Sequence, residues 1–157
     1  MEDRWHAALR EGAVSGSVAS LLSAVVLVLA GRRETPTAAA PLNATSQWLW
    51  GPPARQVDRP DGRHTVAGYL IHHVAATFWA TLHARALAER PGFERPAPAL
   101  AAAAATAAVA ALVDFRLTPD RFTPGFEHRL SRPALVVTYA AFAIGLGLAS
   151  AAVRRRR

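Results

Sequence analysis

The chain has 157 residues, 52% of them hydrophobic, and its 18 arginines against 11 acidic side chains give a net charge of +7. Cysteine is absent, which excludes disulfides, thiolate metal sites and thiol nucleophiles. A nucleic-acid partner is set aside as well, because the arginines stand between long apolar runs instead of lining one face of a soluble domain.

Four stretches have the roughly 20 residues that a helix needs to cross about 30 Å of hydrocarbon: residues 12–31, 65–87, 96–115 and 133–153. The expected fold is therefore all-α, a single membrane domain built as a bundle of four transmembrane helices, with long loops at 32–64 and 116–132. The absence of lysine and the wealth of alanine point to a high-GC bacterial genome, hence to a bacterial inner membrane.

The first span carries Gly12, Gly16, Ser20 and Ala24 at a spacing of four, a stripe that lets helix backbones approach closely. A cleavable signal peptide is the competing reading, with Val28-Leu29-Ala30 at the cleavage site. However, Glu2, Asp3 and Glu11 outnumber Arg4 and Arg10, whereas a signal peptide begins with net positive charge. In the loop that follows, 43-NATSQWLWG-51 reads as one or two helical turns lying on the interface. Asn43 would cap them, with Trp48 and Trp50 among the headgroups. The next stretch, 52-PPARQVDRPDGR-63, reads as an irregular linker.

The second span contains His72, His73 and His83. His72 and His83, eleven residues apart, differ by only about 20° in direction, so Tyr69, His72, His73, Thr77, Trp79 and His83 form a polar side expected to face the bundle interior. A bis-histidine haem needs imidazoles on two helices, and only this span has them, the sole methionine being Met1. A metal site needs three or four converging ligands, whereas the other spans offer hydroxyls and Asp114 near the end of the third. No cofactor is therefore expected. Neutral imidazoles bonded to hydroxyls or carbonyls of neighbouring spans are the first reading, and a histidine relay or pH sensor is the second.

The third span, 98-PALAAAAATAAVAALVDF-115, is so rich in alanine that it depends on its neighbours, and a soluble or surface helix is the alternative. After it, 116-RLTP-119 and 121-RFTP-124 form a small repeat in which each Thr-Pro should hold its threonine extended and turn the chain. Asp114, Asp120 and Glu127 are expected either to pair with Arg116, Arg121 or Arg129, or to leave those arginines as an anion or headgroup site. The fourth span repeats the small-residue spacing at Ala141, Gly145 and Ala149. Nine arginines fall on each side of the membrane, so orientation rests on the terminal RRRR, which is hardest to translocate and places both termini in the cytoplasm.

The glycine-spaced first span (Gly12, Gly16), the Pro-x-Asn-Ala segment (Pro41, Asn43, Ala44) and the histidine-bearing second span (His72, His73) resemble the small bacterial inner-membrane proteins of uncharacterised role typified by YagU, over about the first half of the chain. The resemblance implies four inner-membrane spans and no established activity. No nucleophile elbow, phosphate loop, zinc-protease motif or paired carboxylates appear, so no enzyme is expected. The expected role is a structural or accessory component that meets the lipid bilayer and a membrane-protein partner or a second copy of itself. The competing expectation is a small carrier or pH-responsive module built on His72, His73 and His83.

Overall fold

The computed structural model describes residues 2–156, with side chains from residue 4 onward. Met1, Arg157 and the side chains of Glu2 and Asp3, all used in the sequence argument, lie outside the described residues. In chain order the helices are α1 (Glu2–Glu34), α2 (Ala40–Thr45), α3 (Gln47–Trp50), α4 (Ala67–Ala86), α5 (Pro96–Leu112) and α6 (Arg132–Arg154). No strand occurs among the described residues.

Local chemistry sets the helix ends. Proline occupies the first turn of both α5 and α6, where a missing N–H costs nothing. The Ser131 hydroxyl caps α6 by accepting from the Ala134 amide. A π-helical turn, Gly62–Val66, leads into α4, and the Asp61 carboxylate accepts from the His64 amide at its start. A second wide turn, Val113–Leu117, extends α5.

Three helical segments are long and apolar enough to cross a membrane, Arg4–Glu34, Pro96–Leu117 and Arg132–Arg154. The sequence reading has four, and the difference is α4, whose histidines lower its hydropathy.

The four long helices run up and down. Ideal side-chain positions on Gly12 and Gly16 would collide with the backbone of Thr81 and Thr77, and Ser20 meets His73. Each step of four forward along α1 is thus matched by four back along α4, an antiparallel register held by close backbone contact. On its other side α1 meets α6, where Gly145 lies against the backbone of Ala19. Helix α5 packs on α6, with Gly147 against Leu100. One pole of the bundle, the terminal pole, holds the start of α1, the end of α6 and the 87–95 turn. The other, the loop pole, holds residues 35–66 and 113–131.

Side chains are distributed inside out. The bundle centre consists of Ala19, Ala76, Ala80, Ala103 and Ala107 around Phe142 and Leu146, together with fully buried Ser15, Ser20 and Ser150. The large apolar residues point outward: on α4, Leu70, Val74 and Phe78 are all more than half exposed. Val14, Leu21 and Val25 do the same on α1, and Val136 and Val137 on α6. A water-soluble bundle would bury such residues first.

The loop pole differs from expectation. Residues 40–47 are buried throughout, so α2 is covered by protein rather than lying on the interface. Its Leu42 joins Leu27, Phe126 and Leu130 in a second core. Gly68 of α4 admits it, because any side chain there would strike the Leu42 carbonyl. Nor does Asn43 cap the helix, whose N-cap is Ala39 and which has Pro41 in its first turn. The Asn43 amide instead donates to the carbonyls of Val57 and Arg59, both at 2.9 Å, and accepts from the Thr65 hydroxyl at 2.6 Å. These bonds pin the supposedly irregular linker in place. Trp48 is half-buried, and its indole donates to the Thr123 carbonyl. Trp50 is exposed, its indole donates to the Arg63 carbonyl, and the Arg63 guanidinium lies over its ring.

The Thr-Pro repeat behaves as read: Thr118 and Thr123 are both extended. Gly125 then turns the chain with φ of +87°, where a side chain would meet the Ala44 carbonyl.

Candidate functional site

Each histidine of α4 finds a hydroxyl on another helix. His72 Nε2 lies 2.9 Å from Ser23 Oγ on α1, and His73 Nδ1 lies 3.3 Å from Ser20 Oγ. His83 Nδ1 is 2.9 Å from Thr106 Oγ1 on α5. The Ser23 hydroxyl donates to the Ala19 carbonyl and that of Thr106 to the Ala102 carbonyl. The imidazoles therefore donate to them, as neutral rings can.

The stripe faces the interior but divides along its length. At the terminal pole His83 is buried, and its Nε2 makes no hydrogen bond. Toward the loop pole α4 stands away from α5 and α6, and His72 lines a cavity of about 60 Å³. A water's share of liquid volume is roughly 30 Å³, so the space holds on the order of two waters.

Asp114, Tyr139 and Trp79 line the same cavity, with Trp48 and Phe126 contributed by the loop-pole cap. The wide turn that ends α5 carries Asp114 inward, where it accepts a 2.5 Å hydrogen bond from the Tyr139 hydroxyl. The structure thus brings together His72 and Asp114, two of the residues singled out from sequence, and leaves His83 at the far end of the bundle.

Arg116 and Arg121 are not part of this site. Both are exposed, and Arg121 donates to the Trp48 carbonyl at 3.5 Å. The expected pairing within the second loop is replaced by pairing between the two loops. Arg55 binds Asp120 at 2.6 Å, and Arg129 binds Asp58. Asp114 is held by Tyr139 instead, and Glu127 lies 3.4 Å from His128. The Arg55 guanidinium holds the Asp120 carboxyl below its ordinary range, and the His64 amide does the same for Asp61. Among the described residues no three His, Asp or Glu side chains converge as a metal would require.

A second polar cluster escaped the sequence reading. Glu11 is fully buried and accepts from Ser150 and from Arg154, both at 2.7 Å. The same guanidinium donates to the carbonyls of Leu87 and Ala84 at the end of α4. The signal was an acid and an arginine at matching depth in the first and last spans, yet each served only as a charge to be counted. No family model, curated protein or solved structure matches the chain.

Proposed function

We propose that the chain is a four-span integral protein of a bacterial inner membrane, with both termini in the cytoplasm. Its role on this reading is that of a non-enzymatic structural or accessory component, which offers the ordered loop-pole cap to a partner or to lipid headgroups. The observation that carries the proposal is the reversal of core and surface. Leu70, Val74 and Phe78 point outward on α4 as Val14, Leu21 and Val25 do on α1 and Val136 and Val137 on α6, while small alanine and serine side chains fill the centre around Phe142 and Leu146, the pattern of helices packed in lipid. The antiparallel register with α1 from Gly12 to Ser20, which sets α4 alongside the apolar run of α1, supports a crossing by α4 as well. The likeness of the first half to YagU-like proteins agrees with this reading.

Reporter fusions near residue 58, near residue 91 and at residue 157 test it. Four spans require opposite compartments for 58 and 91 and a cytoplasmic signal at 157. If 58 and 91 report the same side, α4 does not cross.

The shared cavity of His72 and Asp114 favours a second reading, a small carrier or pH-responsive module. Replacing His72, His73 and His83 together with glutamine separates the two. Loss of bundle stability supports fastening, whereas intact folding with loss of a pH-dependent flux supports the module.

A further inference from the structure

We propose that the cavity between α4 and the α5–α6 pair is a binding site for a small organic ammonium ion. The inference goes beyond the membrane-component reading and needs only the folded bundle.

Three observations carry it. The first is the wall, which Trp48, Trp79, Phe126, Tyr139 and Phe142 line around a space open on one side. Aromatic faces attract cations, most strongly where water is excluded. The second is charge. Among the described residues no arginine lines the cavity, and the acid that does, Asp114, has one carboxylate oxygen taken by Tyr139 and the other available to a ligand.

The third is that the hydroxyl protons around the space are already committed. Ser23 donates to the Ala19 carbonyl, Thr138 to Ala134, Thr45 to Pro41 and Tyr139 to Asp114. An anion would find aromatic faces and a carboxylate but no donor among these hydroxyls. A cation would find a counter-charge and a cage. The cavity is open on one side, so a ligand larger than its enclosed volume can seat with its charged end toward Asp114 and the aromatic wall.

The test uses the purified full chain in detergent or nanodiscs, with tert-butylammonium, tetramethylammonium and the uncharged tert-butanol as probes, read by calorimetry. Both cations should bind saturably, with tert-butylammonium the tighter because its N–H reaches Asp114. Tert-butanol should bind at least roughly tenfold more weakly, the scale of a desolvated cation–π contact. Asp114→Asn should lose roughly tenfold or more for both cations while helix content and unfolding midpoint hold, since the asparagine carbonyl still accepts from Tyr139.

Should Asp114→Asn not fold, Trp79→Leu serves instead, weakening tetramethylammonium roughly tenfold and tert-butanol little. The proposal is overturned if no cation binds, if tert-butanol binds as tightly as the cations, if Asp114→Asn binds them unchanged, or if Trp79→Leu weakens all three probes alike. Because binding is measured on purified protein, failure of the four-span topology would appear in the fusions and not here.

Discussion

Glu11 stands just before the apolar run of α1 and is fully buried, where an unpaired carboxylate would be prohibitively costly. It is tolerated because Ser150 and Arg154 meet it from α6, while the same arginine covers two carbonyls at the end of α4. Three helices are thereby joined at the terminal pole through one guanidinium. Glu11→Gln leaves Arg154 without a counter-charge and should cost about 3–5 kcal/mol, as breaking a buried pair does. The double variant Glu11→Gln with Arg154→Gln should recover a good part of that loss, because two amides satisfy each other without buried charge. Denaturant titration of the detergent-solubilised chain measures both. An unchanged midpoint for Glu11→Gln would show that the pair contributes nothing. At this scale the sequence was only half legible: charge counting assigns Arg154 to a topogenic tail, and nothing local marks it as structural.

The loop-pole cap shows the same division at the scale of an element. The turn chemistry could be read directly, because Thr-Pro restricts the threonine backbone and Gly125 supplies a positive φ. The burial of α2 could not, since it depends on Gly68 and Gly125 accepting the backbone of residues 42–44 from two distant parts of the chain. Within the cap, Asp61 and Asp120 have carboxyl groups lowered by the His64 amide and the Arg55 guanidinium. A lowered folded-state value stabilises the cap above the ordinary carboxyl range and ceases to do so as the pH falls through the lowered value. Hydrogen exchange at residues 52–63 and 118–124, corrected for its intrinsic pH dependence, should therefore speed up below roughly pH 4 while α1 and α6 stay protected. Both carboxylates are exposed, so the change should be local. Equal protection of these segments at pH 3 and pH 7 would show that the two pairs do not hold the cap.

For the molecule as a whole, depth is the quantity that links sequence to site. His72 lies about a turn and a half inside α4 from the loop pole, Asp114 ends α5 at that pole, and Tyr139 lies about two turns into α6 from it. Three sequence-distant residues from three helices, all within about two turns of that pole, therefore line one cavity, although helical periodicity within any one span cannot reveal it. The outer surface of large apolar side chains follows from the same geometry, and the absence of cysteine lets single introduced thiols test whether it faces lipid. Val74→Cys, on the outward face of α4 where the native side chain is 65% exposed, should resist a membrane-impermeant maleimide in intact vesicles, because thiolate does not form in hydrocarbon. Arg59→Cys and Arg90→Cys, exposed at the two ends of the same helix, should each be labelled from one side only, and from opposite sides. After denaturation in dodecyl sulfate all three should become reactive, which shows that the thiol at position 74 is intact and only shielded in the vesicle. Rapid labelling of Val74→Cys in sealed vesicles would place α4 in water, leaving three apolar helices to hold the chain in the bilayer with α4 packed against them from outside.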